Sequence, residues 1–229
     1  MTETQLFDEW PEYYERWFAT PIGKLVKGIE GELIHELLDP EPGEKILDAG
    51  CGTGIFTLDF LAGGARVVGL DISGQMLRYA VKKAAEYPFF KIQGDMLYLP
   101  FKDNSFDKSV SITALEFIAD AKRAVDELFR ITRPGGYVVV ATLNSLSPWA
   151  ARRTEKTQKG QRHILEGAFF RSQHELLTCS PFRGIAKTAI HFQKNDAPEQ
   201  AVKTEQLGEA NGLDTGAFLA VRWQKPRLL

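Results

Sequence analysis

Between Lys45 and Asn144 the chain alternates short apolar runs with stretches whose apolar residues recur every three or four positions. The first pattern fits buried strands and the second amphipathic helices. "KILDA" (Lys45–Ala49), "ARVVGLDIS" (Ala65–Ser73), "FFKIQGD" (Phe89–Asp95), "SFDKSVSIT" (Ser105–Thr113) and "YVVVATLN" (Tyr137–Asn144) are the expected strands. "IFTLDFLAGG" (Ile55–Gly64) reads as a helix closed by glycines, which adopt the left-handed conformation of a helix end without a Cβ penalty. Ser73 stands where it caps "GQMLRYAVKKAAEY", in which Met76, Leu77, Ala80, Val81 and Ala84 share one face. "ADAKRAVDELFRITR" (Ala119–Arg133) is a third helix, stopped by "PGG". Strands alternating with helices predict an α/β fold, a doubly wound and mostly parallel sheet with helices on both faces. Ligands of such a sheet sit beyond the carboxyl ends of its strands, where the strand order reverses.

Outside this stretch the pattern weakens. Residues 1–44 read as helical and aromatic, with Trp10, Tyr13, Tyr14, Trp17 and Phe18 crowded ahead of "GKLVKGIEGELIHELL". Residues 145–182 read as a polar, basic connection. "RGIAKTAIHFQK" (Arg183–Lys194) and "GAFLAVRWQ" (Gly216–Gln224) are two closing strands, and the polar segment between them is expected to be a mobile loop.

Composition narrows the class. The chain has 229 residues, of which 44% are hydrophobic, so a single large domain can bury a core. Its net charge of −2 provides no basic field to draw it to nucleic acid or to an anionic membrane. The two cysteines, Cys51 and Cys179, are far apart and read as reduced thiols of a cytoplasmic protein. The acidic, aromatic start lacks the pattern of a signal peptide. No apolar run reaches the roughly 18 residues of a membrane span.

The chemistry concentrates at Asp48-Ala49-Gly50-Cys51-Gly52-Thr53-Gly54, a strand-to-helix turn with three glycines in five residues. Such a turn lets a ligand approach main-chain amides. Asp71 ends the next strand, near the spacing at which a carboxylate accepts two hydrogen bonds from a ribose diol. The other reading of Asp71 is a surface aspartate favoured by a helix N-terminus. The glycines are spaced G-x-G-x-G, not the G-x-G-x-x-G of dinucleotide sites, and a carboxylate precedes them. Asp48 would repel a pyrophosphate and suits a ligand with a positive amino or sulfonium group. It argues for S-adenosylmethionine and against a nicotinamide dinucleotide.

With these residues in view, the chain resembles class I S-adenosylmethionine-dependent methyltransferases. "ILDAGCGTG" matches the first family motif, and "VVGLDIS" resembles the acidic end of the second strand. "QGDMLYLPFKDNSFD", "SVSITALEFIAD" and "ELFRITRPGGYVVVATLN" are similar to the elements that follow, in the same order. The resemblance implies seven strands in the order 3-2-1-4-5-7-6, the last antiparallel, in a single domain. Within it, residues 1–44 would form a helical lid, 45–144 the cofactor-binding core, and 145–229 a substrate-side insertion with the closing strands. It implies that the backbone at Gly50, Gly52 and Gly54 faces the methionine portion of the cofactor, with Thr53 and Cys51 in the same cofactor-binding bend (Cys51 otherwise a buried, inert thiol), and that Asp48 lies near its amino group. Asp71 would hold the ribose, with Ile72 beside the adenine. Asp95 would meet the adenine amino group, Met96 would pack on the ring, and Gly94 beside them belongs to the cofactor-binding set. Thr113, Ala114 and Leu115 would border the sulfonium, or else belong to the sheet core. Met76 lines the adenine pocket or is helix core. Tyr13, Tyr14 and Trp17 form a lid over the cofactor or simply pack on the sheet.

Methyl transfer from a sulfonium is an in-line displacement in which alignment supplies on the order of 7–11 kcal/mol. No base is required unless the acceptor must lose a proton, and no catalytic residue is identified. The acceptor is expected to be a small molecule. "SITALEF" carries neither the Asn/Asp-Pro-Pro-aromatic motif of base-amino methylation nor a Pro-Cys nucleophile. "HELLD" and "HELLT" lack the second histidine of a helical zinc site, so no metal is expected. Acceptor-side candidates are Phe117, Asn144, Trp149, His163, His191 and the basic set Arg152, Arg153, Lys156, Lys159 and Arg162, each with a packing or solvated-surface alternative. A non-catalytic binding protein on the same fold and a nicotinamide dehydrogenase stay open as other readings. The oligomeric state is open too, a homodimer being one option.

Overall fold

In the computed structural model, residues 10–158 and 167–227 are described. Seven strands form one sheet: β1 Lys45–Ala49, β2 Arg66–Asp71, β3 Phe89–Gln93, β4 Lys108–Ile112, β5 Tyr137–Leu143, β6 Gly184–Ala189 and β7 Phe218–Gln224. Their order is β3-β2-β1-β4-β5-β7-β6. The first five pair in parallel, whereas β7 runs antiparallel to both β5 and β6. The order reverses between β1 and β4, which locates the ligand crevice at their carboxyl ends.

Alternation along the strands splits the core into two layers. Ile46, Val67, Val110, Ile112, Val139, Ala141, Phe218 and Ala220 face one layer. Leu47, Ala49, Val68, Leu70, Val138, Val140, Leu219 and Trp223 face the other. The first layer is closed by α2, Pro21–Leu38, whose buried Val26, Glu30, Ile34, Leu37 and Leu38 recur at helical spacing. The second is closed by α5, Ala121–Ile131, which buries Val125, Leu128 and Phe129. Ahead of α2 lies α1, Pro11–Ala19, and Thr20 between them caps α2 by accepting the Gly23 amide. The helices α3 (Thr57–Ala62) and α4 (Gly74–Lys83) follow β1 and β2. Ser73 caps α4 as expected.

Three expectations change. The segment read as a mobile loop contains a helix, α8, Pro198–Ala210, with Ala201, Glu205 and Gly208 buried. The polar connection over 145–182 contains α6, Pro148–Gln158, and α7, Gln173–Leu177. α7 starts on a capping box between Ser172 and Glu175. The first helix after β1 is also shorter than the sequence suggests, since Ile55 and Phe56 belong to the turn that precedes it. Lys159, Arg162 and His163 lie outside the described residues, as does the start of the chain up to residue 9.

Candidate cofactor and acceptor site

The bend after β1 is left-handed at each glycine, with φ of 77° at Gly50, 52° at Gly52 and 76° at Gly54. Its main chain is tied to β2. The amides of Gly50 and Cys51 both donate to the Leu70 carbonyl, at 2.6 and 3.0 Å. The Gly52 amide donates to Asp71 Oδ2 at 2.8 Å, and the Ser73 amide to Asp71 Oδ1 at 2.8 Å. Asp71 thus links the glycine bend to the cap of α4. Burial raises the pKa of its carboxyl, and these amides act against that rise.

The bend also meets the ends of β3 and β4. A Cβ at Gly50 would sit 2.3 Å from Ala114 Cβ and 3.0 Å from Met96 Cε, so only hydrogen fits. At Gly52 a Cβ would meet nothing within 4 Å. The bend therefore presents uncovered main chain to open space at the strand-order reversal, a cradle that a flat or extended ligand can approach closely. These residues fit the S-adenosylmethionine that the sequence motifs imply.

The remaining expected residues fall as follows. Asp48 is buried and accepts the Thr57 hydroxyl at 2.6 Å. Burial first, and the charge of Asp71 in addition, push its carboxyl up to about 7, with the Thr57 bond opposing. Cys51 is a buried thiol whose pKa burial raises well above the ordinary value. Ile72 is half-buried, and its carbonyl accepts Gln93 Nε2. The Gly94 amide donates to the Asp71 carbonyl, and Asp95 Oδ1 accepts the Leu97 amide at 2.8 Å. Met76, Met96 and Leu115 are buried. Thr113 turns the chain out of β4 with φ of 48° while its amide donates to the Ala141 carbonyl.

The first helix packs over this crevice. Thr53 Oγ1 donates to Glu15 Oε1 at 2.5 Å, and Lys83 Nζ donates to the same oxygen at 2.5 Å. Tyr79 OH donates to Glu12 Oε1 at 3.2 Å. The Tyr14 phenol is raised by burial and then by the charge of Glu30, with the Thr113 side chain acting against that rise. Trp17 stacks edge-on against Phe18.

Of the acceptor-side candidates, Asn144 and Trp149 hold loops together. Asn144 Nδ2 donates to the carbonyls of Asp214 and Gly216, and Trp149 Nε1 to that of Phe192 at 2.6 Å. Phe117 lies in a single 3₁₀ turn, and His191 packs against Gly208 of α8. Arg153 lies over the rings of Trp149 and Phe170.

Two buried acids escape the sequence pattern. Glu30 of α2 is 7% exposed and Glu116 fully buried. Burial and then the Glu116 charge push Glu30 up to about 8; burial pushes Glu116 up to about 7. The available signal for Glu116 is a lone acid inside the apolar run "ALEF".

Among the described residues, no helix is long and apolar enough to cross a membrane, and no acid, histidine and cysteine cluster suits a metal. A family profile described as a methyltransferase domain matches residues 47–140. Malonyl-acyl-carrier-protein O-methyltransferase of Yersinia pestis is 32% identical over 161 residues, 70% of this chain and 59% of that protein. Demethylmenaquinone methyltransferase of Streptomyces avermitilis is 38% identical over 125 residues, 55% of this chain and 53% of that protein. The chain thus spans less than two thirds of the length of these relatives. A solved S-adenosylmethionine-dependent methyltransferase of Thermotoga maritima, described as a possible histamine N-methyltransferase, superposes with a TM-score of 0.72 at 24% identity. That superposition covers 97% of this chain and 99% of the other. With the strand order, the glycine bend and its acidic partner on β2, these matches assign the chain to the class I S-adenosylmethionine-dependent methyltransferases.

Proposed function

We propose that the protein transfers the methyl group of S-adenosylmethionine to a small-molecule acceptor. The observation that carries this reading is the convergence at Gly50. There the bend after β1 packs so closely on Ala114 after β4 and Met96 after β3 that only hydrogen fits, while at the neighbouring Gly52 its main chain faces open space. When bound, S-adenosylmethionine supplies an electrophilic methyl on a positively charged sulfur. The Gly52 and Thr53 backbone would hold its methionine portion, Asp71 and Ile72 its nucleoside, and Thr113 and Ala114 would flank the transferred methyl. Asp71 already accepts two amides, and each of its oxygens keeps a lone pair for a ribose hydroxyl.

In this reading α1 is a lid over the crevice, and the segment from α6 to α7 completes the acceptor side. Glu15 is its latch, tying α1 at once to Thr53 of the bend and to Lys83 of α4. A lid of this kind excludes water and aligns the acceptor, which is the main demand of the displacement. The free, buried Cys51 and Cys179 fit a reducing, cytoplasmic setting. Titrating the purified protein with S-adenosylhomocysteine in a calorimeter tests the reading. Binding in the micromolar range is expected, on the order of 8 kcal/mol; an absence of heat at millimolar ligand overturns it.

A further inference from the structure

Lys83, the last residue of α4, reaches the glycine bend from its flank. α4 packs directly on the bend, since a Cβ at Gly54 would lie 3.2 Å from Ala80 Cβ. One turn on from Ala80, Lys83 Nζ donates to Glu15 Oε1 at 2.5 Å and to Thr53 Oγ1 at 3.4 Å. The Lys83 side chain is half-buried there, whereas its neighbour Lys82 is exposed. An ammonium carries three protons. Among the described residues, Glu15 and Thr53 engage two of them, and the third is left for a further acceptor.

The main chain of the bend offers a second donor at the same place. The amides of Gly50 and Cys51 are engaged by the Leu70 carbonyl, that of Gly52 by Asp71, and that of Gly54 by the Cys51 carbonyl. Among the described residues, the Thr53 amide is the one of these five without an acceptor. Thr53 is buried beneath α1, while Gly52 just before it faces open space. A buried amide without an acceptor costs stability, which a ligand oxygen offsets. The spare proton of Lys83 and the amide of Thr53 therefore adjoin the open side of the cradle.

The methionine portion of S-adenosylmethionine is a zwitterion, with an ammonium and a carboxylate. A carboxylate taken out of water needs a cation and further donors. On the reading given under Proposed function, we infer that Lys83 and the Thr53 amide bind the carboxylate of the cofactor. Glu15 already holds the ammonium of Lys83 beside the bend, so little order has to be gained when the carboxylate arrives. Lys83 then stands between two carboxylates and is attracted to both. The same lysine carries the tie to α1, so the site selects the whole cofactor against nucleoside fragments that lack the carboxylate.

The test measures the preference for S-adenosylhomocysteine over its decarboxylated analogue, which keeps the adenosine, the thioether and the amine. Both are titrated calorimetrically into wild type, Lys83→Met and Lys83→Arg. The ratio of the two affinities does not depend on the folded fraction, and a variant that merely loosens α1 shifts both ligands together. Wild type is expected to prefer S-adenosylhomocysteine by about 100-fold or more. Lys83→Met should lower that preference at least about tenfold, through S-adenosylhomocysteine and not through the analogue. Lys83→Arg keeps the charge and should retain most of it. Wild type that binds neither ligand overturns the function on which this inference rests. Wild type that binds both equally, Lys83→Met with an unchanged preference, or Lys83→Met that weakens both ligands alike would each overturn the inference itself.

Discussion

Asp71 Oδ2 accepts the amide of Gly52 at 2.8 Å, across the gap between the ends of β2 and β1. The acid expected to grip a ligand also builds the cradle that receives it. Asp71→Ala should therefore act twice. Losing two buried, charge-assisted bonds is expected to cost about 2–4 kcal/mol in urea unfolding. S-adenosylhomocysteine affinity should fall at least about tenfold beyond what the stability loss explains. Equal affinity in the variant would separate Asp71 from the ligand.

The glycines of the bend make a second, internal comparison. Gly50→Ala forces a Cβ to 2.3 Å from Ala114 at positive φ and is expected to destabilise the fold by about 2–3 kcal/mol. Gly52→Ala meets no atom within 4 Å and should cost only the left-handed penalty of about 1–2 kcal/mol. Calorimetric titration of Gly52→Ala should nonetheless show much weaker S-adenosylhomocysteine binding, because the new methyl occupies the approach to the main chain.

How far is this legible from residues alone? The strands and the glycine bend are readable because each strand buries a fixed face and the bend must stay free of side chains. α8 reads as a loop because its apolar face is narrow: Ala201, Glu205 and Gly208 are small or polar. Glu205 gains its place from tertiary bonds, accepting the amides of Ile190 and His191, which no local pattern encodes. The run of Ala, Glu, Gln, Lys and Leu behind Pro198 is the signal available. Glu15 and Glu30 look like ordinary polar positions on helices, and only the way α1 and α2 lie across the sheet ties Glu15 to the bend and buries Glu30.

The latch at Glu15 predicts a kinetic effect more than a thermodynamic one. The Lys83–Glu15 pair is partly exposed, so Glu15→Ala should change unfolding free energy by less than about 1 kcal/mol. Release of S-adenosylhomocysteine should accelerate several-fold, read by stopped-flow displacement, because α1 loses its tie to Thr53. Unchanged release would remove α1 from the gating of the site.

The buried acids predict a direction for stability against pH. Asp48, Glu30 and Glu116 all have carboxyls raised by burial to about 7, 8 and 7. For a raised carboxyl the folded state binds its proton more tightly than the unfolded chain. The contribution is therefore fully present below the ordinary carboxylate pKa and is lost as pH rises through the folded value. Unfolding free energy of the ligand-free protein should fall by about 3 kcal/mol or more between about pH 5 and pH 9. Glu30→Gln should flatten part of that slope and be more stable than wild type at the alkaline end.

β7 follows both β5 and β6 in the chain, yet it lies between them in the sheet. During synthesis β5 therefore waits with an open edge, and β6 has no neighbour to pair with until β7 emerges from the ribosome. Growing chains carry this unpaired edge for longest, and it is there that chaperone engagement or mispairing between nascent chains would occur. The settling of the connections on either side of β6, which carry α7 and α8, is thereby deferred until β7 has been made.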